Sequence, residues 1–381
     1  MSNYNEIIDF VKNQFQSKDF IPLHEPNFSG NEKKYVLDTI DSTFVSSVGA
    51  YVDKFELMLA KLSKTKKAVA VVNGTSGLQV ALRLSGVESG DEVLTQALTF
   101  IATINAIIYN GASPVFIDVD IDTMGLSPNA VENFLEEFGE LRDGICFNKK
   151  TNKKIAACMP MHTFGFPVHL DELMEVCNKW NIPIVEDAAE SIGSEYKGMP
   201  TGSFGKLGVF SFNGNKIVTS GGGGAIVTNN IELGTKAKHL TTTAKVPHPY
   251  EYVHDEIGYN FRMPNLNAAL ACAQLEQLDS FIKNKRSLAL EYNTFFKTKG
   301  INFRTELPNT KANYWLMCLQ LENKFERDIF LRETNENKVM TRPIWQLIFK
   351  SSKYSNFQRD TQVNAIYLEE RIVNIPSSVR K

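Results

Sequence analysis

The chain has 381 residues, 43% of them hydrophobic, and a formal net charge of −2. This length suffices for a large and a small domain, and the near-neutral charge argues against nucleic acid or an anionic membrane surface as a partner. The five cysteines are scattered without a C-x-x-C pair, so we expect no metal site and no disulfides, and a reducing cytoplasm fits best. No apolar run reaches the ~18 residues of a membrane span, and the N-terminal residues do not resemble a signal peptide.

The first half of the chain predicts helices and then a strand–helix alternation. Residues 1–20 have an amphipathic helical pattern, and Ser29 or Asn31 is suited to cap a second helix. Apolar strands separated by helical patterns are then predicted at 66–73, 91–96, 113–120, 155–161 and 182–189. This alternation predicts an α/β fold, with a mostly parallel sheet covered by helices on both faces in a three-layer large domain.

The second half begins with two strands, 205–213 and 224–230, on either side of a turn. Residues 265–299 have the pattern of one long helix, and the remainder mixes strand and helix. We therefore expect two domains. Residues 1–264 form a large domain with the N-terminal helix, and residues 265–381 form a linking helix and a small α+β domain.

Lys216 lies in the turn between these two strands, ahead of four consecutive glycines. An amine held between buried strands is well placed to attack a carbonyl group. Asp187 stands near the end of strand 182–189, at the sheet edge where ligands of parallel sheets bind. A Schiff-base lysine and a carboxylate for a pyridinium nitrogen together indicate a pyridoxal phosphate (PLP) site. Taken singly, a surface lysine and a turn aspartate are the commoner interpretations.

Other candidate residues fall at the same predicted edge. Gly74, Thr75 and Ser76 begin a helix after the first strand, which fits phosphate binding or an ordinary N-cap. Phe100 starts another helix and is suited either to stack on a cofactor ring or to fill the core. Ser211 precedes the lysine on its strand and is either a phosphate ligand or a buried hydroxyl.

Motifs for several other chemistries are absent. No G-x-G-x-x-G follows a strand, and neither G-x-x-x-x-G-K-[ST] nor G-x-S-x-G occurs. Their absence argues against dinucleotide, P-loop and serine-hydrolase sites. His162 follows strand 155–161, and its position fits a substrate contact or a hydrogen-bonded structural histidine about equally.

Eight ordered segments resemble one protein family. They are NGTSGLQVAL, LTFIATINAI, VFIDVD, MHTFGFP, VEDAAESIGSEYKG, GSFGKLGVFSFNGNK, GGGGAIVT and GYNFRMPNLNAAL. Together they resemble the DegT/StrS family of PLP-dependent nucleotide-sugar aminotransferases, from about residue 20 to the C-terminus. The resemblance implies the PLP-dependent transferase fold type I, which is aspartate-aminotransferase-like, and a homodimer with shared active sites.

The same resemblance implies roles for individual residues. Lys216 matches the Schiff-base lysine, Asp187 the carboxylate that pairs with the pyridine nitrogen, and Phe100 the aromatic ring that stacks on the cofactor. The phosphate-binding positions are matched by Gly74, Thr75, Ser76 and Ser211.

Three further positions follow from the resemblance. Asn260 matches an asparagine that reaches the cofactor phosphate in the active site of the other subunit. Glu190 matches a position next to the phenolic oxygen of the cofactor, where family members carry glutamine, glutamate or histidine. Asn213 replaces a histidine that many members carry after the Ser-Phe pair.

The segments IPLHEPNFSGNEKKYVLDTIDSTFVSSVG, TTAKVPHPYEYVHDEIGYN and TRPIW are similar to a branch that acts in legionaminic acid and bacillosamine-type pathways. That branch moves an amino group from L-glutamate to C4 of a nucleotide-linked 4-keto-6-deoxy-N-acetylglucosamine, with pyridoxamine phosphate as the intermediate form of the cofactor. The pathways belong to surface glycan biosynthesis, such as that of lipopolysaccharide O-antigen. Arg342 suits a diphosphate and Trp345 an apolar sugar face, so both are candidate substrate contacts together with His162.

Four alternatives stay open at this point. The enzyme could aminate another position or another nucleotide-linked keto-sugar, with UDP or GDP as the nucleotide. A dehydratase on the same fold is disfavoured, because such relatives carry histidine where this chain has Lys216. An amino-acid aminotransferase and a non-catalytic regulator that keeps the fold are the remaining possibilities.

Overall fold

The computed structural model describes residues 4–380. Within this range the α-helices are α1 (Asn5–Gln14), α2 (Glu32–Asp41), α3 (Ala50–Leu62), α4 (Gly74–Leu84), α5 (Ile101–Tyr109), α6 (Pro128–Phe138), α7 (Leu170–Lys179), α8 (Ile231–Thr241), α9 (Asn265–Leu275), α10 (Leu278–Thr298), α11 (Lys324–Glu336) and α12 (Val363–Glu369). No described helix combines the length and apolar character that crossing a lipid bilayer requires.

The strands are short. They are β1 (Lys67–Val71), β2 (Glu92–Gln96), β3 (Ser113–Ile117), β4 (Gly139–Arg142), β5 (Ile145–Asn148), β6 (Lys153–Met159), β7 (Val185–Asp187), β8 (Glu195–Tyr196), β9 (Met199–Pro200), β10 (Leu207–Ser211), β11 (Gly224–Thr228), β12 (Lys245–Val246), β13 (Val253–His254), β14 (Asn302–Phe303), β15 (Thr310–Lys311), β16 (Met317–Gln320), β17 (Arg342–Pro343) and β18 (Ile372–Ile375). Each of β1, β2 and β3 is followed by a helix.

A mixed central sheet forms the large domain. Strands β3, β2 and β6 are neighbours in one parallel group, and β7, β10, β11 and β1 form the other group. Parallel bridges from Cys158 to Ile184 and from Met161 to Asp187 join β6 to β7. Within this sheet β11 runs antiparallel to both of its neighbours, and β4 and β5 extend the sheet beyond β6 as an antiparallel hairpin. The pairings of β2 with β3 and β6, and of β7 with β10, are parallel. The expected mostly parallel sheet is thereby confirmed.

Helices cover both faces of the sheet, because its strands are apolar on both faces. Leu94 in β2 belongs to a core that also contains residues of α6 and α7. The adjacent Val93 belongs to the other core, which contains residues of α4 and α5. Adjacent residues of a strand point to opposite faces, so this division places the sheet between two helical layers. The fold is the expected three-layer α/β arrangement.

The C-terminal domain has an antiparallel sheet in the order β14, β16, β18 and β17. Helix α1 packs on this domain rather than on the central sheet: Phe10 stacks on Phe295 of α10, and the Tyr4 ring meets Phe330 of α11. The expected division at residue 264 placed this helix in the large domain. We therefore propose that the small domain includes α1. The expected helix covered residues 1–20, of which residues 1–3 lie outside the described part.

The long helix expected at 265–299 is two helices with a break at Glu276 and Gln277. The backbone N–H of Gln277 bonds to the carbonyl of Gln274, so the last turn of α9 tightens before α10 begins. At the start of α2 the N-cap residue is Asn31, but its side chain does not cap the helix and instead donates to Glu276 at 2.9 Å. The start of α2 and the break between α9 and α10 are therefore in contact with each other through Asn31 and Glu276.

Candidate active site

Lys216 lies in the connection between β10 and β11, at the carboxyl end of the sheet. The connection is anchored by Phe212, which is fully buried and whose carbonyl accepts from the N–H of Ser220. The Lys216 side chain is only 12% exposed, and its Nζ lies 3.4 Å from Oε1 of Glu190. The expected arrangement of strand, lysine-bearing turn and strand is what the structure contains.

Asp187 ends β7 and is buried beside this connection. Its Oδ2 accepts from the Thr103 hydroxyl at 2.7 Å, and its Oδ1 accepts from the Ala189 N–H at 3.1 Å. Burial raises the pKa of the Asp187 carboxyl, against the opposing effects of these hydrogen bonds and of Lys216. A buried carboxylate with this energetic penalty is suited to a cationic ligand group, such as a protonated ring nitrogen.

Glu190 follows in the same loop and is also buried. Its Oε2 accepts from the Phe164 N–H at 2.9 Å, which leaves Oε1 facing Lys216. Burial raises the pKa of Glu190 to about 7, although Lys216 and the Phe164 N–H both oppose the shift. Its proton occupancy therefore changes near neutral pH.

The start of α4 forms a cradle suited to an anion. The side chain of Asn73 caps the helix by accepting from the Ser76 N–H at 2.8 Å, and Gly74 opens the first turn. A Cβ atom at Gly74 would meet the Ser211 Cβ at 3.0 Å, so the absence of a side chain keeps this space open. Helix N-termini attract phosphate groups.

These elements enclose one cavity of about 610 Å³, which is also lined by residues 315, 316, 342–346 and 374 of the C-terminal part of the chain. Ten of the residues expected from the sequence line it, namely Gly74, Thr75, Phe100, Asp187, Glu190, Ser211, Asn213, Lys216, Arg342 and Trp345. The two carboxyl groups, the amine and the helix start meet the requirements of PLP: a nitrogen partner, a covalent anchor and a phosphate cradle. The residues present therefore fit this cofactor.

Two expected residues, Ser76 and Asn260, do not line the cavity. Ser76 is one residue further into α4 than Thr75, and its backbone N–H is engaged by the Asn73 cap. Asn260 is exposed on its own chain, where its Oδ1 accepts from Nε of Arg262 at 3.0 Å.

His162 does not lie where a substrate contact would require. Its side chain is fully buried, its Nε2 is 3.0 Å from Oε2 of Glu186, and its Nδ1 accepts from the Val168 N–H at 3.3 Å. Glu186 also accepts backbone N–H groups from Gly202 and Phe204. The structural interpretation of His162 therefore agrees with the geometry, and the suggested substrate contact does not.

Trp315 and Thr103 are cavity residues that the sequence analysis missed. Thr103 lies one helical turn after Phe100 on the same side of α5, a spacing that could have identified it. Trp315 comes from the small domain, just before β16, and its ring centroid lies 3.7 Å from Nζ of Lys216. No local pattern connects residues about 100 positions apart, since the domain packing brings them together.

One group of possible metal ligands occurs among the described residues, away from the cavity. Single ligand atoms of Asp120, Asp122 and His169 lie within 4.8 Å of one another. Nε2 of His169 donates to Oδ2 of Asp122 at 3.1 Å, so the two side chains pair with each other at the surface. This cluster has no connection with the chemistry of the cavity.

Comparison with known proteins identifies the family. Residues 26–380 match the DegT/DnrJ/EryC1/StrS aminotransferase family. The chain is 37% identical over 327 residues to EpsN of Bacillus subtilis (strain 168), provisionally named a pyridoxal phosphate-dependent aminotransferase, with 86% of this chain and 81% of EpsN covered. It is 35% identical over 358 residues to the GDP-perosamine synthase of Escherichia coli O157:H7, with 94% and 93% covered.

The fold agrees with this assignment. The crystal structure of the aminotransferase TlmJ from Streptoalloteichus hindustanus superimposes with a TM-score of 0.84 at 25% sequence identity, covering 94% of this chain and 93% of TlmJ. The chain therefore belongs to the DegT/DnrJ/EryC1/StrS aminotransferase family and is a PLP-dependent nucleotide-sugar aminotransferase of fold type I.

Proposed function

We propose that this enzyme transfers an amino group from L-glutamate to C4 of a UDP- or GDP-linked 4-keto-6-deoxy sugar, with 4-keto-6-deoxy-N-acetylglucosamine as the preferred sugar. The observation that carries the proposal is the composition of the cavity. Lys216 and Asp187 line it together with Arg342 and Trp345, which come from the C-terminal part of the chain. The name of the GDP-perosamine synthase relatives supports a nucleotide-linked amino sugar as the product. A cytoplasmic role in legionaminic-acid- or bacillosamine-type surface glycan synthesis fits this chemistry.

The proposed roles follow from the positions of the side chains. When bound, PLP supplies an aldehyde that combines with amines and a ring that withdraws electrons from the bond to be broken. Lys216 would hold the cofactor through Nζ and, once freed by the donor, carry a proton at the same atom. Asp187 would keep the ring nitrogen protonated, and Glu190 would face the phenolic oxygen.

The remaining groups hold the cofactor and the substrate. Gly74, Thr75 and Ser211 would bind the phosphate at the start of α4, with Phe100 stacked on the ring. Arg342, which is exposed at the cavity mouth, would bind the diphosphate of the nucleotide. Trp345 packs on Phe164 with ring centroids 4.7 Å apart, which fixes one side of the proposed sugar site.

We also propose a homodimer whose active sites are shared. Large apolar side chains are exposed on α2, on the segment that follows it and in the loop 242–259, namely Leu37, Ile40, Phe44, Val48, Tyr250, Tyr252 and Ile257. Val48 and residues 247–249 line one cavity, which brings these segments together, and clustered exposed apolar side chains are typical of a subunit interface. Asn260 adjoins this surface, where it could reach the phosphate in the active site of the other subunit.

A substrate panel tests the proposed reaction. The purified enzyme is incubated with glutamate and with UDP- and GDP-linked 4-keto sugars, with and without the N-acetyl group, and the products are read by mass spectrometry. We expect the mass change for conversion of the keto group to an amino group. NMR of the product should place the new nitrogen at C4. Amination at another carbon or of free keto acids instead would contradict the substrate assignment, and loss of a sugar hydroxyl would indicate a dehydratase. A cofactor-binding protein inert toward glutamate would indicate a regulator.

A further inference from the structure

Trp315 contacts the amine of Lys216 through the face of its ring. The Nζ atom lies 3.7 Å from the ring centroid, and the tryptophan is only 5% exposed. The same amine lies 3.4 Å from Oε1 of Glu190. An ammonium over an aromatic face within about 6 Å is attracted to it, and the attraction is stronger where water is excluded.

Trp315 is held by three hydrogen bonds, one from its ring and two from its backbone. Its Nε1 donates to the carbonyl of Asn215 at 2.8 Å, next to Lys216 in the chain. The Trp315 N–H donates to Oδ1 of Asn313 at 2.8 Å, and the Trp315 carbonyl accepts from Nζ of Lys285 at 3.3 Å. A side chain restrained in this way offers a fixed surface to its neighbour.

The same framework joins the tryptophan to the glutamate. Asn313 Nδ2 donates to the carbonyls of Glu190 and Ile192, both at 2.9 Å. Asn313 therefore ties together the backbones of Trp315 and Glu190, the two residues whose side chains contact the Lys216 amine.

We propose that Trp315 is a positioning residue that holds the amine of Lys216 whenever this amine is not bonded to the cofactor. The proposal rests on the role of Lys216 given above. A lysine side chain has four rotatable carbon–carbon bonds and loses substantial rotamer freedom when it must act at one atom. The ring and the carboxyl keep the released amine within the cavity, so it returns to the same place in each half of the reaction.

The first test measures covalent capture of the cofactor rather than turnover. Trp315→Phe keeps an aromatic face but loses the Nε1 donor, Trp315→Met loses the face, and Trp180→Met serves as a matched control away from the cavity. Apoprotein is mixed with saturating PLP, and the rate of formation of the borohydride-stable adduct is followed. We expect a roughly tenfold slower rate for Trp315→Met, a fall of about threefold or less for Trp315→Phe, and no change for Trp180→Met.

Wild-type capture rates in a folded Trp315→Met variant would overturn the proposal, with folding judged by the thermal unfolding of the apoproteins. The Lys216→Ala variant distinguishes failure of the proposed role of Lys216 from failure of the proposed role of Trp315. An adduct that persists in Lys216→Ala disproves the role of Lys216 itself. Loss of the adduct in Lys216→Ala with normal capture in Trp315→Met disproves only the role of Trp315.

A second test uses tryptophan fluorescence and does not depend on the Trp315→Met variant. Removing the amine by Lys216→Met should alter the emission of the otherwise unchanged apoprotein, because the charge above the indole ring is lost. The same substitution in the Trp315→Phe background should leave the emission of Trp180 and Trp345 unchanged. Equal changes in both backgrounds would show that the amine does not lie on Trp315 in solution.

Discussion

Asp187, Glu190 and Lys216 place two buried carboxyl groups and one largely buried amine in the same cavity. Burial raises the pKa of both carboxyl groups, because it penalises their charged forms more than the nearby Lys216 favours them. A cofactor with a protonated ring nitrogen would supply a positive charge beside Asp187. The electrostatics of these three side chains thus favour the binding of PLP before any chemistry occurs.

Asp187→Asn tests the contribution of the carboxylate to the reaction. The amide is isosteric but cannot hold a proton on the ring nitrogen, so we expect partial cofactor binding and a loss of at least about a hundredfold in kcat. Thr103→Val removes one hydrogen bond to the same carboxylate but keeps its charge, so it should lower kcat less than Asp187→Asn does. An unchanged rate in Asp187→Asn would mean that the nitrogen partner lies elsewhere.

Glu190→Gln tests the titration of the buried glutamate. The folded apoprotein retains a proton that the unfolded chain releases between pH about 4.5 and about 7, so raising the pH across this interval destabilises the fold. We expect Glu190→Gln and wild type to be equally stable below this interval and the variant to be more stable above it, on the order of 3 kcal/mol. Urea unfolding of both apoproteins at the two pH limits measures this; a stability difference independent of pH would contradict the shift.

The connection between β10 and β11 and the start of α4 act together as elements, because the two backbones meet closely. A Cβ atom at Gly224 would lie 2.5 Å from the carbonyl carbon of Asn73, while one at Gly222 would meet nothing within 4 Å. The glycine run is therefore not uniformly constrained. Its last member permits β11 to lie against the phosphate cradle.

Gly224→Ala should displace the cradle, and Gly222→Ala in the same run is the matched control. We expect Gly224→Ala to lower the free energy of unfolding by about 1–3 kcal/mol and to weaken PLP binding, since the added atom forces the backbones apart. Gly222→Ala should change neither property. Thermal unfolding and cofactor titration provide the measurements, and equal behaviour of the two variants would contradict the close approach.

The sequence predicted the central elements well and the packing between domains poorly. The strands leading to Lys216 and Asp187 are apolar and bounded by turn residues, so their positions could be read locally. The break after α9 and the docking of α1 on the small domain depend on distant partners such as Glu32 and Phe295. Trp315 was missed for the same reason, and the choice between a substrate contact and a structural role for His162 stayed open because its pairing with Glu186 is tertiary.

At the scale of the whole molecule, the proposed homodimer predicts that two inactive variants complement each other. Each proposed active site takes Lys216 from one subunit and Asn260 from the other. In a mixed dimer of Lys216→Ala and Asn260→Asp, one site therefore contains both substitutions and the other contains neither. Co-refolding equal amounts should restore roughly a quarter of wild-type activity, since half of the dimers are mixed and each has one working site of two. Pairing Lys216→Ala with Asp187→Asn is the control and should restore nothing beyond residual activity. Absence of complementation in dimers that do form would contradict the shared site.

The covalent link between Lys216 and the cofactor is the central claim, and reductive trapping tests it most directly. The PLP-loaded protein is treated with borohydride and digested, and the labelled peptide is sequenced by mass spectrometry. We predict a single pyridoxyl label on Nζ of Lys216, absent from Lys216→Ala and from protein first incubated with glutamate. A label on another lysine, or none in folded and loaded protein, would contradict the account.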